Sequence, residues 1–352
     1  FSRRVQQTPD RPALTFEGKT RSYREMGDAV NRLATALKTG GICRGDRVGY
    51  LGLNNPLYFD LLFAAARLGA IFVPLNFRLT GPELDYIIND AGVHTLVVDG
   101  PHRPVIDSVR DRLCCRRFLS ADGPADGWQP ITEFVGDAAP LADRVETAED
   151  DVAVIMYTSG TTGRPKGAML THLSLVHSSM HYQIAMGLGP QDNSLATVPL
   201  SHVTGLVALI TTLVLSAGKL VIMPQFKAAA FLQLALRERM THTLMVPAMY
   251  NLCMLCPEFD DIDLSTWRVG AYGGAPMPVA SIEKLALKMP RLMLMNCYGS
   301  TETTSPATLM PQGDTAAHND TVGKPLACAE MRVMDAQGQE LPAGEMGEIW
   351  IK

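Results

Sequence analysis

Between Tyr157 and Gly167 the chain reads Tyr157-Thr-Ser-Gly-Thr-Thr-Gly-Arg-Pro-Lys-Gly167, placing four hydroxyls, three glycines and one lysine within ten residues directly after the apolar run Val152-Met156. Hydroxyls donate to phosphate oxygens, glycines let backbone approach closely, and Lys166 adds a positive charge, so the segment has the chemistry of a polyphosphate-gripping loop. A solvated Ser/Thr/Gly turn has the same composition. The spacing excludes a Walker A loop, since Pro165 stands where G-x-x-x-x-G-K-[ST] has glycine and Gly167 where it has Ser or Thr.

Three further segments follow in order: Pro199-Leu-Ser-His-Val-Thr-Gly-Leu206, Tyr272-Gly-Gly-Ala-Pro276 and Asn296-Cys-Tyr-Gly-Ser-Thr-Glu-Thr303. The last pairs a hydroxyl, Thr301, with a carboxylate, Glu302; alone, such a pair is as well explained by a surface or helix-capping feature. His202 is either a group that orients a substrate or a satisfied core histidine. His172 and His177 read as structural or exposed.

Together these strings resemble the signature of the adenylate-forming superfamily of acyl-CoA synthetases, peptide synthetase adenylation domains and beetle luciferases. Leu51-Gly-Leu-Asn-Asn55, Gly69-Ala-Ile-Phe-Val-Pro-Leu-Asn76 and Gly344-Glu-Met-Gly-Glu-Ile349 extend the likeness along nearly the whole chain. The resemblance implies that Thr158, Ser159, Gly160, Thr161, Thr162, Gly163 and Lys166 hold the β- and γ-phosphates of ATP. It implies that Gly273, Gly274, Ala275 and Pro276 form one side of an adenine site, with Asn296, Cys297, Tyr298 and Gly299 on the other. Thr301 would contact the α-phosphate or the attacking carboxylate, and Glu302, with Thr158, would hold Mg²⁺, a hard cation that prefers oxygen. His202, Val203, Gly205, Leu206, Ala271 and Gly273, with Met249, would line a mostly apolar acyl pocket. Lys166, His202, Thr301 and Glu302 are the expected catalytic set.

The implied activity is carboxylate-CoA ligation: adenylation of a fatty or aromatic monocarboxylic acid by ATP, then thioester formation with coenzyme A. A carrier-protein thiol as acceptor and a non-catalytic nucleotide-binding module remain alternatives. Small apolar pocket residues, with no lysine or arginine to pair with a second carboxylate, disfavour a dicarboxylic acid. The family's ribose-binding aspartate and its small C-terminal domain, with a catalytic lysine, are not among these residues. The absence of an initial Met and the ending inside Glu348-Ile-Trp-Ile-Lys352 point to a trimmed chain, expected to be weakly active alone.

The elements that must position these residues are α/β in pattern. Ser22-x-x-Glu25 and Thr80-x-x-Glu83 are capping boxes, and Asn55-Pro56 can open a helix that is apolar almost all round from Leu57 to Leu68. Met26, Val30, Leu33, Ala34 and Leu37 mark one buried face. Short β-rich runs stand at Thr95-Val98, Val152-Tyr157, Leu195-Val198, Leu220-Met223, Thr243-Val246, Val269-Tyr272 and Leu292-Cys297. This alternation predicts mainly parallel sheets. By analogy, 55–190 forms one α/β unit, 1–54 joins 191–310 in a second, and 311–352 begins a distorted β-barrel. Residues 121–148 read as an irregular connection.

Composition fits a globular protein: 352 residues, 47% hydrophobic, with a formal charge of -5. That charge gives no overall basic surface for nucleic acid. Seven cysteines in no disulfide spacing suit a cytoplasmic protein. Cys253 and Cys256 form a C-x-x-C inside an apolar run and read as packing. No transmembrane stretch is expected, and a homo-oligomer is compatible with the sequence.

Overall fold

A computed structural model describes residues 1–158 and 163–352. Two sheets organise them. The seven-stranded sheet has the order Gln129–Pro130, Arg117–Ser120, Val93–Val98, Arg47–Leu51, Ile71–Leu75, Val152–Thr158 and Lys166–Thr171. The nine-stranded sheet runs Lys324–Pro325, Thr308–Leu309, Met293–Tyr298, Val269–Gly273, His242–Met245, Asn193–Ala196, Lys219–Ile222, Pro12–Phe16 and Lys19–Ser22. The inner ladders of both are parallel, and antiparallel pairing occurs at their margins.

Local signals put the helices where the sequence places them. Ser22 and Glu25 close a capping box, with Ser22 N donating to Glu25 Oε2 at 2.7 Å and Glu25 N to Ser22 Oγ at 3.2 Å, and open the helix Tyr23–Thr39. Its face of Met26, Val30, Leu33, Ala34 and Leu37 is buried. Asn55 Oδ1 accepts from Leu57 N at 2.8 Å and caps Pro56–Leu68. Thr80 N donates to Glu83 Oε2 at 2.8 Å at the start of Gly81–Ala91. One buried cluster takes Val48, Phe72 and Val97 from the first sheet, Leu14, Ala196 and Ala271 from the second, and Leu33 and Leu61 from the helices, so the sheets share a core.

Two expectations about organisation are corrected. Arg47–Leu51 lies in the seven-stranded sheet, so that sheet begins before residue 55. In 311–352, expected only to begin a barrel, Lys324–Pro325 joins the nine-stranded sheet, and Met331–Met334 pairs antiparallel with Glu348–Ile351 as a separate two-stranded sheet. The connection 121–148 contains the short strand Gln129–Pro130 and the helix Ile131–Val135, whose apolar residues pack on the core.

The C-x-x-C pair divides as packing requires. Cys253 is buried in helix Pro247–Met254, its thiol pushed up to about 12 by burial, while Cys256 lies past the helix end. No group of three potential metal ligands occurs among the described residues.

His242 is fully buried in the second sheet, with Nδ1 2.6 Å from Ser194 Oγ, and burial lowers its pKa to about 4. Unfolded, the imidazole gains a proton near 6.5; folded, it stays neutral until about 4. The unfolded state therefore binds the extra proton in that window, so stability falls as pH drops through it, by up to about 3 kcal/mol. Denaturant titrations across this range are expected to show a shallower decline for His242→Gln than for the wild type; equal declines would remove His242 as a cause.

Candidate active site

The strand Val152–Thr158 returns as Lys166–Thr171 in an antiparallel pair that sets Thr158 against Lys166. Ser159, Gly160, Thr161 and Thr162 lie outside the described residues. The end of the strand pair is held on helix Gly81–Ala91. Tyr157 Oη donates to Asp90 Oδ2 at 2.5 Å, and the Arg164 guanidinium lies 5.4 Å from the centroid of the Tyr86 ring. Gly163 and Lys166 are exposed, leaving the ammonium accessible to an anion.

The third and fourth motifs sit side by side. Val269–Gly273 and Met293–Tyr298 are adjacent parallel strands with Gly273 opposite Cys297. A Cβ on Gly273 would stand 2.4 Å from the Cys297 carbonyl oxygen, closer than real Cβ atoms approach backbone, so only glycine fits this register. Beyond it Gly274, Ala275 and Pro276 are exposed, and Tyr298 is half-buried at the neighbouring strand end. The flat edge and the ring thus lie on neighbouring strand ends. Asn296 and Cys297 have packing contacts instead: Asn296 Nδ2 donates to the Thr321 carbonyl at 3.2 Å, and the Cys297 thiol is buried, its pKa raised by desolvation.

After Gly299 a tight turn presents Thr301 and Glu302. Thr304 N donates to Thr301 O at 3.0 Å, Ser305 N to Ser300 O at 3.2 Å, and Ala307 N to Tyr298 O at 2.7 Å. Ser305 Oγ and Tyr182 Oη stand 3.0 Å apart in the core, anchoring the turn to helix His172–Met186. At the tip, Thr158 Oγ1 donates to Glu302 Oε1 at 3.3 Å, joining residues 144 positions apart and from different sheets.

His202 follows the strand Asn193–Ala196. Its side chain is exposed by surface area, which removes the core-histidine alternative, yet surrounding protein mass and then the charge of Arg78 lower its pKa, favouring the neutral ring. The next turns, Thr204–Thr211, form a π-helix, a rare geometry often found at functional sites. Val203 is half-buried there, whereas Gly205 and Leu206 are buried, as is Ala271 on Val269–Gly273, two strands along the same sheet. The π-helix and the contacts of Asn54, which grips this segment from the other sheet, had no counterpart in the sequence reading.

The motif segments share one placement: each follows the carboxyl end of a strand that pairs in parallel, the crevice where open α/β sheets bind ligands. A cavity of about 470 Å³ bounded by Phe1, Phe63, Arg144 and Leu175 contains none of these residues. Its lining carries neither the phosphate-loop lysine nor the Thr-Glu pair, so the motif crevice is the chemically equipped one.

The pattern of AMP-binding enzymes matches residues 1–352 in full. The chain belongs to the AMP-binding enzyme family. This AMP-binding chain is 35% identical over 350 residues to an indoleacetate–CoA ligase of Aromatoleum aromaticum, covering 98% of itself and 67% of that protein. It is 33% identical over 349 residues to a feruloyl-CoA synthase of Amycolatopsis, covering 99% of itself and 68% of the relative. Among solved structures it is similar to the inhibitor-bound N-terminal domain of FACL13 from Mycobacterium tuberculosis, with TM-score 0.92 and 31% identity over 100% of this chain and 87% of that one. The AMP-binding fold expected from the motifs is therefore shown, with mixed α/β layers and mostly parallel sheets.

Proposed function

We propose that this chain supplies the nucleotide- and carboxylate-binding surface of an acyl-CoA synthetase. The observation that carries the reading is the 3.3 Å contact between Thr158 and Glu302, which brings the phosphate-loop strand and the Thr-Glu turn to one crevice. Relatives named as CoA ligases for indoleacetate, ferulate and long-chain fatty acids match at 33 to 35% identity, which supports both the aromatic and the fatty side of the expected substrate class.

In this reading a substrate carboxylate oxygen attacks the α-phosphorus of ATP, forming the acyl–phosphate bond as the bond to the bridging oxygen breaks and pyrophosphate leaves. A CoA thiolate then attacks the acyl carbon and AMP departs. No protein nucleophile enters either step, so positioning and charge stabilisation carry the work. Lys166 and the loop hydroxyls bind the departing phosphates. Gly273 to Pro276 and Tyr298 hold the base, and Thr301 orients the α-phosphate. His202, mostly neutral, lies beside the carboxylate without adding a competing charge.

Glu302 and Thr158 present oxygen donors 3.3 Å apart, a set suited to Mg²⁺, which takes one or two carboxylates and completes its shell with phosphates and water. When bound, the ion would neutralise developing phosphate charge. All seven cysteines are free, as suits a cytoplasmic setting, and no helix among the described residues is long and apolar enough to cross a membrane.

Product analysis with the natural full-length polypeptide tests the acceptor. AMP and an acyl thioester formed from a fatty or aromatic acid and free CoA are expected; thioester formed only on a carrier-protein thiol would transfer the reading to a carrier-loading ligase.

A further inference from the structure

Asn54 crosses from one sheet to the other. It lies in the turn after Arg47–Leu51, is only 5% exposed, and directs its whole amide at backbone of the opposite sheet. Asn54 Oδ1 accepts from Leu200 N at 2.9 Å; Nδ2 donates to Val198 O at 2.9 Å and to Met223 O at 3.1 Å. Among the described residues, no other side chain of the seven-stranded sheet hydrogen-bonds the Thr197–Leu206 backbone.

The turn that carries Asn54 is itself fixed. Leu53 N donates to Asp99 Oδ2 at 2.8 Å, and Tyr50 Oη donates to Leu53 O at 3.2 Å. Asp99 is buried and its other oxygen is taken by His102 Nδ1. A Cβ at Gly52 would stand 2.7 Å from both Asp99 Oδ2 and Tyr50 Oη, so glycine is required for the turn to sit this close. On the receiving side, the grip at Leu200 is two residues from His202, whose N–H donates to Pro199 O at 3.1 Å and whose carbonyl accepts from Leu206 N at 3.0 Å. Where Asn54 holds Val198 and Leu200, it sets where His202 and the start of the π-helix stand.

We propose that Asn54 is a positioning residue for the carboxylate side of the site, acting through the backbone of Val198–Leu200 on His202 and Val203; the inference rests on the reading of that segment given above. Val198 and Leu200 lie at the start of the carboxylate segment, while Tyr157, ahead of the phosphate loop, and the Gly273–Pro276 edge are held by other contacts. Loss of Asn54 therefore acts on the acid more than on ATP.

The experiment uses the natural full-length polypeptide, with carboxylate-dependent ATP–pyrophosphate exchange and ATP binding by calorimetry measured for the wild type, Asn54→Leu and Asn54→Asp. Asn54→Leu is expected to lose about 10- to 100-fold in kcat/KM for the acid, the scale of a small misplacement of reacting groups, with ATP Kd within about twofold of wild type. Asn54→Asp can accept from Leu200 N in either state but donates to a carbonyl only when protonated. Its exchange rate relative to wild type should rise as pH falls, whereas Asn54→Leu should follow the wild-type profile at a lower level. If Asn54→Leu does not fold, the Asp variant's pH profile decides.

Unchanged kcat/KM for the acid, losses in acid turnover and ATP affinity of equal size, or an Asp variant with a wild-type-shaped profile would overturn the positioning role. A wild type that binds ATP but exchanges pyrophosphate with no acid would instead overturn the reading of the site on which it rests.

Discussion

Glu302→Gln is expected to lower carboxylate-dependent pyrophosphate exchange by about 10²- to 10³-fold, the cost of losing one charge-stabilising group aimed at a developing anion. The side chain is exposed and its hydrogen bond within the protein is to Thr158, so the fold does not lean on it. Surface changes of this kind shift stability by no more than about 0.5 kcal/mol. Gln keeps the volume and an oxygen that accepts from Thr158, and removes only the negative charge. A variant with near-wild-type exchange would show that the carboxylate is not part of the machinery; an equal loss of thermal stability would show that it is a structural group.

Gly273→Ala should have a large effect on the fold for a single-methyl change at the site. The added Cβ has no flexible neighbour to push aside, because the atom 2.4 Å away is the Cys297 carbonyl oxygen of the adjacent strand. Overpacking against rigid backbone costs about 1 to 3 kcal/mol, and relief by strand separation would move Gly274–Pro276 away from Tyr298. We therefore expect a lowered denaturation midpoint together with weakened ATP binding. Equal midpoints for wild type and Gly273→Ala would contradict the close-approach argument.

What the sequence made legible was local. Ser22 with Glu25, Thr80 with Glu83, and Asn55 with Pro56 and Leu57 act within three residues, and each forms the expected helix start. The seven expected strands all occur, most displaced by a residue or two because apolar content marks the buried centre of a strand and not its hydrogen-bonded ends.

Ile71–Leu75 is not among the expected strands, and its Pro74 is unfavourable in a central position. The structure accommodates it because pairing toward Val152–Thr158 has a single registered pair, Phe72 with Val154, and has ended by the proline. The exposed strand Lys166–Thr171 was hidden for the opposite reason: Lys166, Gly167 and Met169 are exposed, so the burial pattern lacks the apolar signal.

The motif residues were legible as candidates because their chemistry is concentrated in short strings, but their assembly was not. Thr158 and Glu302 are 144 residues apart, as are Asn54 and Val198, and neither pairing leaves a periodic trace. Asn54 in particular reads as the first of two turn-forming asparagines, and the local view assigns the capping role to its neighbour Asn55. Leu206 and Ala271 illustrate the converse. The resemblance places them in an acyl pocket, and the structure buries both in the shared core.

The central claim, that the crevice activates a carboxylate with ATP, is tested most directly by carboxylate-dependent ATP–pyrophosphate exchange in the natural full-length polypeptide, across aromatic and short-, medium- and long-chain fatty acids, with Lys166→Ala alongside. Exchange with one class of acid, reduced by about 10²-fold or more in Lys166→Ala, is the predicted result. Tight ATP binding with no exchange for any acid would contradict it and leave a nucleotide-binding module in its place.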